Sequence, residues 1–158
     1  MKKKVLLVEP DYKNKYPPIG LMKISTYHKM IGYDVKFFKG DLKDLILSDI
    51  TSTAIKKLTK IDNNIDWLQY HNLIFYYIKT GKIEVLNSIL DIKSKYKSIL
   101  ESWLIHFKDF YRKGTYISSP NWDRICVTSL FTFYHKITID TINTCKNIVK
   151  DINQIYVG

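Results

Sequence analysis

The recurrence of apolar and polar residues divides the chain into three stretches. In the first, Val5-Leu6-Leu7-Val8 is a short apolar run that ends on Glu9-Pro10-Asp11. A continuous run of this length closed by turn residues predicts a strand buried on both faces of a parallel sheet. A polar loop from Asp11 to Tyr16 leads into Pro17-Pro18-Ile19-Gly20. Leu21, Ile24, His28 and Ile31 then recur at helical spacing, with Met22 and Tyr27 beside them, and Gly32 stands where a helix-capping glycine belongs. Asp34 to Gly40 reads as a second strand. Residues 4–40 thus predict one β-α-β unit, a crossover that is almost always right-handed and parallel.

The second stretch, residues 41–113, changes to helical patterns. Leu42, Leu45 and Ile46 open one that extends to Leu58, and Asp62-Asn63-Asn64 breaks it. Trp67 to Tyr77 is aromatic-rich and helical, Gly81 is a second break, and Ile83, Leu86, Ile89 and Leu90 mark a short helix. The clearest pattern is Tyr96, Ile99, Leu100, Trp103, Leu104, Phe107, Phe110 and Tyr111, an amphipathic stripe of the kind that faces a core.

In the third stretch, Gly114 to Asn121 is a loop, Trp122 to Leu130 a third strand, Ile137 to Val149 a helix ending near Asp151, and Ile152 to Gly158 a fourth strand. The expected architecture is α/β: a small four-stranded parallel sheet in the order 2-1-3-4, Rossmann- or flavodoxin-like. It is one domain spanning 1–158, with its core in 1–40 and 114–158 and a helical insertion at 41–113. A last strand followed by a single glycine reads as a domain cut short, because doubly wound sheets usually continue with a helix.

Composition adjusts this picture in a few places. At 46% hydrophobic the chain has material for a core. No apolar run reaches about 18 residues, so no membrane partner is expected. The basic, apolar N-terminus is broken by Glu9, Pro10 and Asp11 without a cleavage site, which argues against a signal peptide and for a cytoplasmic location. The net charge of +10 would ordinarily point to nucleic acid. Here lysine dominates, Arg112 and Arg124 are the two arginines, and Ile, Asn, Tyr and Lys together fit AT-rich coding. Nucleic-acid readers lean on arginine forks, so an RNA-binding role ranks last. Cys126 and Cys145 have no metal or disulfide-framework spacing and read as buried apolar residues. The four histidines fall in separate elements without H-x-x-x-H spacing, and His28 reads as a core or boundary histidine. Gly20 alone in the first loop does not make a dinucleotide fingerprint.

Three segments resemble the N-terminal cobalamin-binding-like domain that precedes the catalytic barrel in many radical SAM enzymes. They are Val5 to Pro10 running through Tyr16-Pro17-Pro18-Ile19-Gly20-Leu21, then Gly32-Tyr33-Asp34-Val35-Lys36-Phe37, and Val127 to Thr132 followed by a helix and Ile155-Tyr156-Val157-Gly158. The Pro-Pro-x-Gly element is the more specific, and together they cover about half the chain. The D-x-H-x-x-G signature is absent, since Tyr12 and Lys13 follow Asp11. The C-x-x-x-C-x-x-C motif is absent as well, so three thiolates for an iron–sulfur cluster are missing. The resemblance therefore implies an accessory domain without catalytic residues or a metal site of its own. Iron–sulfur cluster and S-adenosylmethionine would belong to a downstream barrel, the implied partner together with its substrate. Cobalamin is the ligand the resemblance implies, and the missing histidine speaks against it. A ligand crevice is expected at the carboxyl edge of the sheet, bordered by Glu9, Asp11, Pro17, Pro18, Gly20, Gly40, Asp41, Thr128 and Ser129, with the helical insertion as a cover. The alternative is a stand-alone interaction module using the aromatic insertion.

Overall fold

The computed structural model describes residues 1–13, 16–129 and 134–158. In chain order the elements are β1 (Lys4–Glu9), α1 (Ile19–Met30), β2 (Asp34–Lys39), α2 (Leu42–Ile61), α3 (His71–Thr80), α4 (Ile83–Ile89), α5 (Lys97–Arg112), β3 (Arg124–Val127), α6 (His135–Ile148) and β4 (Ile155–Val157). The chain divides into two compact units, residues 1–44 with 117–158 and residues 45–116.

The first unit is a four-stranded parallel sheet in the order β2-β1-β3-β4, the expected Rossmann/flavodoxin-like α/β topology. β1 is central because its apolar run tolerates burial on both faces: Val5, Leu6, Leu7 and Val8 are wholly inaccessible. Its residues pair with β2 from Lys4 opposite Asp34 to Glu9 opposite Lys39, and with β3 from Val5 opposite Arg124 to Val8 opposite Val127. The edge strands read differently. β2 and β4 carry exposed positions, among them Phe37 and Tyr156, because each has one neighbour. Val5, Leu7 and Cys126 pack with Leu21 of α1 on one face. Right-handed crossovers running in opposite directions from β1 and β3 assign α1 and α6 to opposite faces.

α1 stops where the chain turns through Gly32 at φ +85°. The Tyr33 N–H donates to His28 O at 2.9 Å and the Gly32 N–H to Lys29 O at 3.0 Å, a Schellman closure, and the His28 and Tyr33 rings pack at 5.5 Å. Two expected strands are shorter than the apolar pattern implied. β3 covers 124–127 instead of Trp122 to Leu130. Trp122 makes an isolated parallel bridge to Val149, Asp123 is a bend, and Leu130, like Phe131 and Thr132, lies outside the described residues. β4 begins at Ile155, because Ile152–Gln154 form a 3-10 turn capped by Asp151, whose Oδ1 accepts the Asn153 N–H at 2.9 Å.

The second unit is helical. Its core includes Ala54 and Leu58 of α2, Ile74 and Ile78 of α3 and Leu100 and Leu104 of α5, each fully buried. The α5 stripe divides: Leu100, Leu104 and Phe107 are buried, while Trp103, Phe110 and Tyr111 are half-buried. A Lys57 ammonium lies 4.2 Å from the Trp103 ring centroid. Asp62, 6% exposed, ties the turn after α2. Its carboxylate accepts the Asn64 N–H at 3.1 Å and the Ser94 hydroxyl at 2.6 Å, and its carbonyl accepts the Trp67 indole N–H at 2.9 Å.

Candidate functional site

In an open parallel sheet the strand order reverses between β1 and β3, and the loops leaving their carboxyl ends define the place for a ligand. Among the cavities of the described residues, none is lined by all nine of the residues expected there. Five of the nine line two cavities within the first unit, and the others hold local structural positions.

Asp11, Gly40 and Asp41 line a cavity of about 510 Å³ together with Lys43 and the α6 residues Asp140, Thr141, Asn143 and Thr144. Gly40 turns the chain out of β2 at φ +132°, where a side chain would be strained. Its N–H donates to Glu9 O at 3.0 Å. Asp41 begins α2 and accepts the Lys43 N–H at 2.9 Å. Gly20 and Thr128 line a second cavity of about 250 Å³ with Leu21, Ile24, Cys126, Val127 and the end of β4. The two cavities share no lining residue.

The remaining expected residues have local roles. Glu9 is buried to 1% exposure and meets the Lys39 ammonium at 3.5 Å across the β1–β2 pair. Pro17 and Pro18 precede α1, and their carbonyls accept the Ile19 N–H at 2.9 Å and the Met22 N–H at 3.0 Å. Ser129 is exposed and donates its N–H to Gly158 O at 3.0 Å.

The residue that fills the space between the two loops is Tyr12, which drew no attention in the sequence. Its ring is 2% exposed. Its hydroxyl donates to Thr128 O at 3.1 Å, makes a short hydrogen bond with Thr138 Oγ1 of α6, and its ring packs on Tyr134 at 5.1 Å. An aromatic residue in a polar loop has no periodicity to betray its burial.

The loop after β1 carries Tyr12 and Lys13 and no imidazole. His28 faces elsewhere, buried at the amino end of the sheet, its Nδ1 2.8 Å from Ile24 O and its Nε2 3.0 Å from an Arg124 guanidinium nitrogen. The loop after β1 thus lacks the histidine that the resembled domains use as a ligand to cobalt, and Tyr12 of that loop stands buried. Both thiols are buried and free. Burial pushes the Cys126 thiol up and that of Cys145 up to about 12, which leaves neither as a thiolate near neutral pH. Among the described residues no group of three His, Cys, Asp or Glu side chains could hold a metal ion, and no helix is long and apolar enough to cross a membrane. Compared with protein-family models, curated proteins and solved structures, the chain matches none of them.

Proposed function

We propose that the chain acts as an accessory Rossmann-like domain of a radical SAM protein, with residues 41–113 as a helical insertion, and that it carries no catalytic group of its own. The observation that supports this reading is the place of Pro17-Pro18-Ile19-Gly20: the element opens α1 directly behind the central strand of a 2-1-3-4 parallel sheet. Chemistry would come from a barrel carrying the three-cysteine motif, and the accessory domain would contribute packing surface to it. The test is the transcript downstream of codon 158. A frame that continues into C-x-x-x-C-x-x-C supports the reading, and a stop codon there with no such partner encoded nearby removes it.

A second reading, an interaction module, draws on a different observation. Ile19, Met22, Tyr27 and Met30 of α1 are 56–82% exposed, and α1 carries Lys23 and Lys29 but no acidic residue. An apolar face edged with cations would suit an acidic partner. Cross-linking through Lys23 and Lys29 in cell extract, followed by mass spectrometry, separates the readings: capture of the barrel favours the first, capture of an unrelated acidic protein the second.

A further inference from the structure

We infer that Tyr12 is an internal plug, a side chain that occupies the ligand position at the reversal of strand order and keeps this domain closed to a corrinoid or any other planar ring system there. The inference rests on the geometry of the first unit and not on the proposed partner.

A tyrosine buries a large apolar ring, and its hydroxyl needs a partner when removed from water. Both needs are met here. The ring is 2% exposed and packs on Tyr134 at 5.1 Å. The hydroxyl donates to Thr128 O at 3.1 Å and also bonds Thr138 Oγ1. Those partners belong to the end of β3 and to α6, so one side chain from the β1 loop ties down both elements that would otherwise splay to admit a ligand. The loop backbone helps, since the Tyr12 N–H turns back to Pro10 O at 2.6 Å and fixes the direction from which the ring enters. A ligand ring entering the same space would have to expel the phenol and break the hydrogen bond that the part-buried Thr128 carbonyl accepts, losing that bond's net contribution.

Three measurements on the full chain test this. In nitration with tetranitromethane and peptide mapping, Tyr12 should react about tenfold or more slowly than Tyr27, which is 60% exposed in the same helix-bearing unit. Aquocobalamin added in excess should keep its free absorbance spectrum. In Tyr12→Phe, which keeps the ring and removes the hydroxyl, amide hydrogen exchange should rise together in 10–13 and 128–129 while 5–8 stay protected. Equal nitration of Tyr12 and Tyr27 overturns the inference. So does a corrinoid spectral shift with the wild-type chain, and so does a rise in exchange confined to 10–13, which would mean that the hydroxyl does not couple the loops. None of these outcomes depends on what the transcript encodes after codon 158.

Discussion

The two ends of the sheet in the first unit are closed by different chemistry. At the amino end the ties are charged. The Asp123 carboxylate accepts the Lys4 backbone N–H at 2.7 Å and pairs with the Lys150 ammonium at 3.0 Å. The Arg124 guanidinium donates to Gln154 Oε1 at 3.1 Å and to His28 Nε2 at 3.0 Å, and lies 5.3 Å from the Tyr156 ring centroid. At the carboxyl end one charged tie, the buried Glu9 with the Lys39 ammonium at 3.5 Å, joins β1 to β2. A neutral tyrosine hydroxyl ties the β1 loop to β3 and α6, and the carboxylates Asp11, Asp41 and Asp140 stand exposed around a cavity. Parallel α/β sheets place ligands at the carboxyl end. The amino end is therefore free to invest its charged groups in stability, and the carboxyl end, the Glu9–Lys39 pair apart, keeps its charges facing solvent.

This contrast is broken most severely at Arg124. Its guanidinium joins α1, β3 and the turn before β4, and the His28 ring it caps is 5% exposed. With Nδ1–H committed to Ile24 O, Nε2 of His28 is an acceptor that needs a donor. Arg124→Met removes that donor and should cost about 2–3 kcal/mol in urea unfolding, the usual range for a buried polar group left alone together with a lost charged hydrogen bond. A loss under about 0.5 kcal/mol would mean that the amino end is not held in this way.

Asp123 comes next. The Lys4 N–H, and after it the Lys150 ammonium, hold its carboxyl below the usual carboxylate range. A depressed folded-state pKa contributes stability that is present above the unfolded value of about 3.9 and is lost as pH falls through the folded value. Asp123→Asn should cost about 1–2 kcal/mol at pH 7, as expected for a charge-assisted hydrogen bond. Its stability should also fall less steeply than wild type on acidification below about pH 4. Parallel acid limbs for the two proteins would contradict the assignment.

Much of the topology could be read from the chain before any coordinates, but none of the charged ties at the amino end could. Four apolar stretches with helical segments between them lead to the order β2-β1-β3-β4, since a fully apolar run belongs in the middle of a parallel sheet and Gly32 closes the crossover helix. Strand ends were less legible. Ile152 extends an apolar pattern yet is 56% exposed in a turn, and the sign to the contrary was Asp151 two residues before Asn153, a local side-chain cap. The carboxyl end was read correctly as an edge with loops, but not its occupant. Burial of Tyr12 arises from contacts with Thr128, Tyr134 and Thr138, more than a hundred positions away, and no local pattern encodes those.

At the carboxyl end the effects should be smaller. Tyr12→Phe keeps the ring packed on Tyr134 and loses one hydroxyl, so thermal or urea unfolding should register about 1 kcal/mol. A cost as large as that of Arg124→Met would erase the difference between the two ends.

The smallest effect belongs to the carboxylates around the larger cavity. Asp11 and Asp140 are exposed, and the polar groups beside them in the cavity are the exposed Asp41 carboxylate, hydroxyls, an amide and Lys43. Exposed carboxylates in water gain little from such neighbours, because the solvent screens them and their hydration is already satisfied. Asp11→Asn and Asp140→Asn should each shift stability by no more than about 0.5 kcal/mol, the range for surface positions away from special features. Combining them should add without coupling beyond about 0.5 kcal/mol if the two carboxylates act independently through water. A double variant clearly less stable than the sum of the two single gains, because either substitution alone already relieves the repulsion, would show that the two carboxylates repel one another across the cavity. The carboxyl end would then also hold electrostatic energy, of the opposite sign to the ties at the amino end. Urea unfolding of the four proteins at low and at high salt decides this, since repulsion across solvent fades with ionic strength and an independent pair leaves all differences unchanged.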